Sequence, residues 1–388
     1  MIREREEMSR DHRFEVEFGE QILCCTVCGF CQAVCPVYGL TRRPALNARG
    51  KMLILREVLN GHMELEDDTI ETLFQCTGCA SCENNCPSGV HVTEILRQVR
   101  QDMVTAGTCH PAFKGMKDVL EGHGNIYAVN TLPGYTEGRK RNLPAEYVYF
   151  AGCVGAFREE EATESTLRLL DRLKVDYTLI DEVCCTGVLE DMGYAVQQSK
   201  ANMLVERIKA TGAKKVITGC PYCFRTFRQQ KSYQALAESN IEVVHVAQFF
   251  TTKDFGISTD LVVTYHDPCD LGRHAGIYDE PRTTIRRISD NFVEMEHHRD
   301  QALCCGAGGG VRGGFPTNSV GMARRRLAEA EAVNVDVLVT ECNSCVHNLS
   351  NARLRRQNFR VLTTSQFIND LIEKSHGSLS KQEKMKQE

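Results

Sequence analysis

The chain has 388 residues, 42% of them apolar and 25% charged, with a formal charge of −5 and an isoelectric point near 6.2. That length suffices for two or three domains, each with its own core, and the mild acidity excludes the broad basic face that nucleic acid or anionic lipid requires. The unusual numbers are 20 cysteines and no tryptophan.

The N-terminal stretch Met1–Gly19 is densely charged and lacks the apolar core of a signal peptide. No apolar run approaches the roughly 18–20 residues of a membrane span. The expectation is a cytoplasmic protein without direct membrane insertion, with any membrane association made through a partner subunit. Cysteines in such a compartment point to metal rather than disulfides. Apart from Cys109 they fall in four tight groups, as C-x2-C and Cys-Cys pairs. That pattern suits several sulfurs converging on one inorganic centre.

Cys25-x2-Cys28-x2-Cys31-x3-Cys35-Pro36 and Cys76-x2-Cys79-x2-Cys82-x3-Cys86-Pro87 each match the bacterial ferredoxin run. Three closely spaced thiolates wrap a [4Fe–4S] cubane, and the cysteine before proline crosses to the other cluster. One cluster is therefore expected on Cys25, Cys28, Cys31 and Cys86, and the other on Cys76, Cys79, Cys82 and Cys35. Zinc also takes four thiolates, but it needs neither the three-cysteine cadence nor its duplication. Between the runs, Lys51–Leu59 has apolar residues at helical spacing, and Val92–Met103 reads as a further helix. Cys24 reads as a spare buried thiol, with an exchanged ligand as the alternative, and Cys109 as a free thiol.

The remainder repeats itself. An apolar strand from Tyr147 runs into Cys153; 30 residues later comes Cys184-Cys185, and after 34 more Cys220-Pro-Tyr-Cys223. A second strand from Leu261 runs into Cys269; 34 residues later comes Cys304-Cys305-Gly306, and after 36 more Cys342-Asn-Ser-Cys345. Each C-x2-C follows a strand, Lys215–Gly219 or Val335–Thr340. Each strand follows a helical stretch, Val196–Thr211 or Ser319–Ala332. This is an α/β half-domain used twice. A cube has four iron corners, yet both copies keep five cysteines, which favours a site of five thiolates over an idle residue in each copy.

The doubled C-x(30–39)-C-C-x(34–37)-C-x2-C pattern resembles the cysteine-rich CCG domain. The helical dicluster module before it resembles the D-type subunit of heterodisulfide reductases, which fuses C-like and B-like parts. The resemblance covers about residues 20–370 and implies a multidomain α+β and α/β architecture. It comprises a helical two-cluster ferredoxin domain (1–105), a helical linker (106–145), CCG repeat 1 (146–255), CCG repeat 2 (256–372) and a disordered tail (373–388). It also implies one noncubane [4Fe–4S] cluster on Cys153, Cys184, Cys185, Cys220 and Cys223, and another on Cys269, Cys304, Cys305, Cys342 and Cys345. With two cubane clusters, that makes four. The implied activity is reduction of CoM-S-S-CoB, a small-molecule disulfide held between the two noncubane clusters. The electrons would come from a flavoprotein (HdrA-like) or a b-type cytochrome. The family's wider membership offers a second expectation: an electron-transfer subunit of an FAD dehydrogenase for glycolate, lactate or glycerol 3-phosphate, passing electrons to a quinone or cytochrome. Thr186 stands where the motif expects glycine, and could reshape the first site.

Other motifs carry less. Cys220-Pro-Tyr-Cys223 has the form of a glutaredoxin site, but its counterpart at Cys342 lacks Pro-Tyr, so both read as ligand pairs. Gly308–Gly313 fits G-x-G-x-x-G without the strand before it that a nucleotide site needs; close backbone approach to a cluster and its ligand explains it better. His266 and Asp267 read as strand-end hydrogen-bonding groups, with proton donation to a product thiolate as the alternative. Arg158, Arg273 and Arg312 follow ligands closely and read as surface or supporting arginines that an anionic substrate could engage.

Overall fold

The computed structural model describes residues 13–385, with backbone alone at 67–68 and 376–385. Most of the charged N-terminal stretch, and the last three positions of the expected tail, lie outside the described residues.

The first hundred residues are helical. Apolar spacing puts Met52, Leu55 and Val58 on the buried face of the helix Ala48–Leu59, which Asn47 caps by accepting the Gly50 N–H at 3.0 Å. The helix Val92–Thr105 buries Val92, Ile95, Leu96, Val99 and Met103. These two helices enclose one core with Phe14 and Ile22 of the helix Arg13–Leu23. The same core takes in Cys184, Leu189, Met192 and Tyr194 from farther along the chain.

Two small parallel sheets follow. The first has strands β1 (Tyr147–Phe150), β2 (Tyr177–Thr178), β3 (Lys215–Thr218) and β4 (Glu242–His245) in the order β2-β1-β3-β4. The second has β5 (Val263–His266), β6 (Val337–Thr340) and β7 (Arg360–Leu362) in the order β5-β6-β7. Parallel pairing demands crossovers, and helices supply them, so β5 and β6 are buried along their whole length. The sheets share a core that includes Leu167, Leu170, Tyr265, Val337, Phe367 and Ile368. Helices Glu160–Arg172 and Thr364–Met385 cross it, tied by Thr166 Oγ1 to Ser365 Oγ at 2.9 Å and by Asn369 Nδ2 to the Ser165 carbonyl at 2.6 Å. That last helix continues over 373–385, positions whose composition alone marks them as unstructured. No helix among the described residues is long and apolar enough to cross a membrane.

Candidate metal and substrate site

The two ferredoxin-type runs bend alike. Backbone φ is positive at the second and fourth residues after the first cysteine of each: Val27 (59°) and Gly29 (90°), then Gly78 (66°) and Ala80 (57°). Left-handed turns so spaced curl a loop around a centre, and a β-branched valine adopts one only where the surroundings impose it. The thiols whose charge bears on Cys31 are Cys25, Cys28 and Cys86. Around Cys82 stand Cys76, Cys79 and Cys35. The fourth cysteine of each run therefore keeps company with the other run. Cys35, Cys76, Cys79 and Cys82 line one small cavity together with Lys51. Lys51, buried, donates to the carbonyls of Leu46 at 2.5 Å and Gln75 at 3.5 Å. Burial pushes Cys35 up to about 11 and Cys82 well above the ordinary thiol value. Cys24, expected to be buried, is exposed; Cys109 is half-buried beside Tyr194.

The two repeats close around a single cavity of about 370 Å³. Its wall holds Cys153, Cys184, Cys185, Cys220 and Cys223 from the first repeat, and Cys269, Cys305, Cys342 and Cys345 from the second. Cys304, the tenth, turns toward the dicluster segment, with Sγ beside Cys79 and 3.6 Å from Thr77 Oγ1. The repeats match in detail. Cys185 and Cys223 bring their sulfurs to 3.3 Å, as do Cys305 and Cys345. Cys220 and Cys342 stand at the N-caps of Pro221–Gln229 and Asn343–Ala352, where the helix dipole favours a thiolate. Thr186 (φ 62°) and Gly306 (φ 87°) share the left-handed conformation, and each N–H reaches the sulfur two residues back, at 3.4 and 3.3 Å. Threonine thus leaves the turn's shape unchanged, so the reshaping it could have brought is not seen here.

The donor set fits iron–sulfur chemistry. The wall is sulfur-rich, buried and crowded. The neighbouring Cys153 thiol and burial hold Cys184 well above the ordinary thiol value; Cys305 and burial do the same to Cys345. Left bare, such thiols stay protonated; a cationic centre is what lets several thiolates share so small a space.

Side chains that spacing alone does not reveal complete the site. His266 Nδ1 accepts from Arg326 Nε at 3.1 Å, which leaves Nε2 to carry the hydrogen and face Cys305. The Nδ1 bond is the expected strand-end role, while Nε2 makes no hydrogen bond among the described residues. Asp267 is engaged by Arg282 at 2.7 and 2.9 Å, a buried bidentate pair. Asp191 gathers Arg97 at 2.9 Å, Tyr222 Oη at 2.6 Å and Arg225 at 3.5 Å; Arg225 also reaches Asp270 at 3.1 Å. Both neighbouring arginines hold Asp191 well below the usual carboxylate range, despite its burial.

The second ferredoxin-type run is docked on repeat 2 by its own carbonyls. Arg273 donates to Cys79 O at 2.5 Å and to Ala302 O at 2.8 Å, and His274 Nε2 lies 2.7 Å from Gly78 O. A Cβ at Gly308 or Gly309 would collide with the carbonyl oxygens of Thr77 and Cys76. Close approach was the expected reason for this glycine run, and the partner is the dicluster backbone as well as the cavity.

Fold and site together define an iron–sulfur protein in which a dicluster segment is fused to a duplicated cysteine-rich domain. Family models bear this out: a 4Fe-4S dicluster domain matches residues 21–90, and the cysteine-rich domain CCG matches 147–228 and 263–350. The D-type subunit of the dihydromethanophenazine:CoB–CoM heterodisulfide reductase from Methanosarcina acetivorans is 33% identical, over 85% of this chain and 88% of its own length. EtfAB:quinone oxidoreductase of Syntrophomonas wolfei is 25% identical, over 83% of this chain and 54% of its own. The crystal structure of a hypothetical protein from Helicobacter pylori shares the fold, with a TM-score of 0.58 at 11% identity, covering 92% of this chain and 75% of that one. The chain belongs to the family of D-type heterodisulfide reductase subunits.

Proposed function

We propose that this chain is the catalytic iron–sulfur subunit of a heterodisulfide reductase, converting CoM-S-S-CoB, two electrons and two protons into CoM-SH and CoB-SH. One observation carries the reading: a single cavity presents cysteines from both repeats to the same space. Cys25, Cys28, Cys31 and Cys86 would hold one cubane cluster, and Cys76, Cys79, Cys82 and Cys35 the other. Cys153, Cys184, Cys185, Cys220 and Cys223 would hold one noncubane cluster, and Cys269, Cys304, Cys305, Cys342 and Cys345 the second. Such clusters, when bound, supply one-electron transfer and iron with affinity for sulfur. The chain's own residues do the rest. Met116, Ile126, Val154 and Val188 line the cavity and give the reacting sulfurs an apolar wall. Arg225 neutralises Asp270 beside Cys269, so no free carboxylate repels a thiolate product. Helix N-termini at Cys220 and Cys342 favour negative charge on the wall. With no flavin motif in the sequence, electrons would arrive from a flavoprotein or b-type cytochrome partner.

A relay to a quinone, the alternative the more distant EtfAB relative brings forward, needs no substrate-sized cavity between the repeats. The test is replacement of Cys185 or Cys305 by Ala. Both variants should still accept electrons from reduced viologen, yet lose CoM-S-S-CoB reduction. Coenzyme M should perturb the electron paramagnetic resonance (EPR) spectrum of the oxidised unmodified chain and leave that of either variant unchanged. Retained reduction in both, or no thiol response in the unmodified chain, would favour relay.

A further inference from the structure

The cavity between the repeats is almost uniformly sulfur and hydrocarbon, and its two charged lining residues are in different states. Asp270 is compensated by Arg225. Arg312, the one cation lining it among the described residues, has no carboxylate partner there. Its neighbour on the wall is the phenol of Tyr127, on which its charge bears. The other buried or half-buried arginines around the site are engaged: Arg97 and Arg225 by Asp191, Arg282 by Asp267, Arg326 by Glu329. Arg158 stacks on the same Tyr127 ring at 4.5 Å, adding a second cation just outside the wall. Met116, Ile126 and Tyr127 come from the segment between the dicluster domain and the first strand, which so far has had no role beyond connection.

We propose that Arg312, oriented by Tyr127, binds an anionic terminus on one arm of the substrate disulfide, while Met116, Ile126 and Val188 hold the short alkyl chain between that terminus and the sulfur. The inference rests on the disulfide-reductase reading and adds to it the residue that recognises one charged end of the disulfide. An uncompensated guanidinium on an apolar wall is costly unless an anion joins it, and its fork geometry suits an oxyanion. Arg312 is then a specificity residue, and the linker that carries Tyr127 is one wall of the binding site.

The experiment uses the full chain with its clusters, oxidised and anaerobic, and reads the EPR spectrum during titration with two thiols, 2-mercaptoethanesulfonate and uncharged 2-mercaptoethanol. In the unmodified chain the sulfonate should act at a concentration at least about tenfold lower, the scale of one charge-assisted hydrogen-bonded contact. Arg312→Gln should abolish that difference while leaving the response to 2-mercaptoethanol unchanged. Arg312→Lys, which keeps the charge without the fork, should retain part of it. Undiminished discrimination in Arg312→Gln, or an equal loss for both thiols in Gln and Lys variants alike, overturns the assignment. A response in the unmodified chain that is blind to charge sinks this inference alone. Silence toward both thiols sinks the disulfide reading and this inference with it.

Discussion

Lys51 offers the sharpest test of the electrostatics around the second ferredoxin-type run. Its ammonium is buried, lines the cavity of Cys35, Cys76, Cys79 and Cys82, and is held by the Leu46 and Gln75 carbonyls. Burial pulls its pKa down, while the Cys76 and Cys35 thiolates pull it up, so the charge belongs to the ligand set. At a separation on the order of 6 Å, two unit charges at an effective dielectric of about 20 interact by roughly 2–3 kcal/mol. At about 59 mV per 1.4 kcal/mol for one electron, that is on the order of 100 mV. Removing a positive charge favours the oxidised state, so Lys51→Met should lower the potential of an iron–sulfur cluster held by these cysteines by that order. Arg56 is the control. It donates to the Cys25 carbonyl at 2.5 Å beside the first run, but it is partly exposed, so solvent should cut the effect of Arg56→Met to less than half. EPR-monitored redox titration of both variants measures the shifts. A Lys51→Met shift under about 20 mV, with the cluster signal intact, would refute the reasoning, because no effective dielectric suited to a buried site allows it.

Other outcomes follow from single residues. Thr186→Gly should raise thermal stability by about 1 kcal/mol with clusters retained, since glycine occupies the left-handed region without strain; calorimetry of the holoprotein checks it. Gly309→Ala, at φ 58° and facing the Cys76 carbonyl, should cost about 1–3 kcal/mol and loosen the dicluster segment from repeat 2, seen as faster hydrogen exchange on both sides of that contact. His245 is buried neutral, its pKa pushed down to about 3 by burial, while Nδ1 accepts the Ala247 N–H. The unfolded chain binds the extra proton between about pH 6.5 and 3, so this contribution is complete above 6.5 and is lost on acidification, about 1.4 kcal/mol of it by about pH 5.5. His245→Gln should flatten that part of the pH profile of thermal unfolding. Chemical analysis of anaerobically purified protein should find about 16 iron per chain, the sum of four four-iron clusters; about half that would mean the CCG repeats are empty.

Much of the fold was legible because its signals are local. The apolar spacing of Lys51–Leu59 and Val92–Met103 marks helices that run Ala48–Leu59 and Val92–Thr105, and the strands before each C-x2-C are β3 and β6. The edge strand β2 escaped notice because two residues are too short to show a pattern, and β4 and β7 because no cysteine motif follows them to mark a short strand. The gathering of the CCG cysteines was readable from the repeat. Their arrangement around one cavity was not, since it depends on how two sheets share a core. Lys51 did leave a signal, one helical turn before Leu55 on the apolar face, where a lysine calls for explanation. Arg273, His274 and the docking of the second run were invisible because they act on main-chain carbonyls, which carry no side-chain signature.

That docking makes the two repeats unequal, which their matched cysteines conceal. Cys28 of the first run is exposed, while Cys79 of the second is buried and lies beside Cys304 of repeat 2. That neighbouring sulfur, Arg273 and the imidazole of His266 all fall on repeat 2. Repeat 1 meets the dicluster segment through ion pairs and carbonyl contacts instead: Arg97 with Asp191 at 2.9 Å and Arg100 with the Asp191 carbonyl at 2.6 Å. Electrons entering at the exposed run would therefore reach repeat 2 by the shortest sulfur path, into surroundings whose cation and hydrogen-bond donors stabilise added negative charge. Repeat 1 has no such donor at the end of β1, where Phe150 stands in the place of His266. On that reading, two sites with the same cysteine pattern but different surroundings should differ in potential, and the order in which they are reduced would follow from that difference.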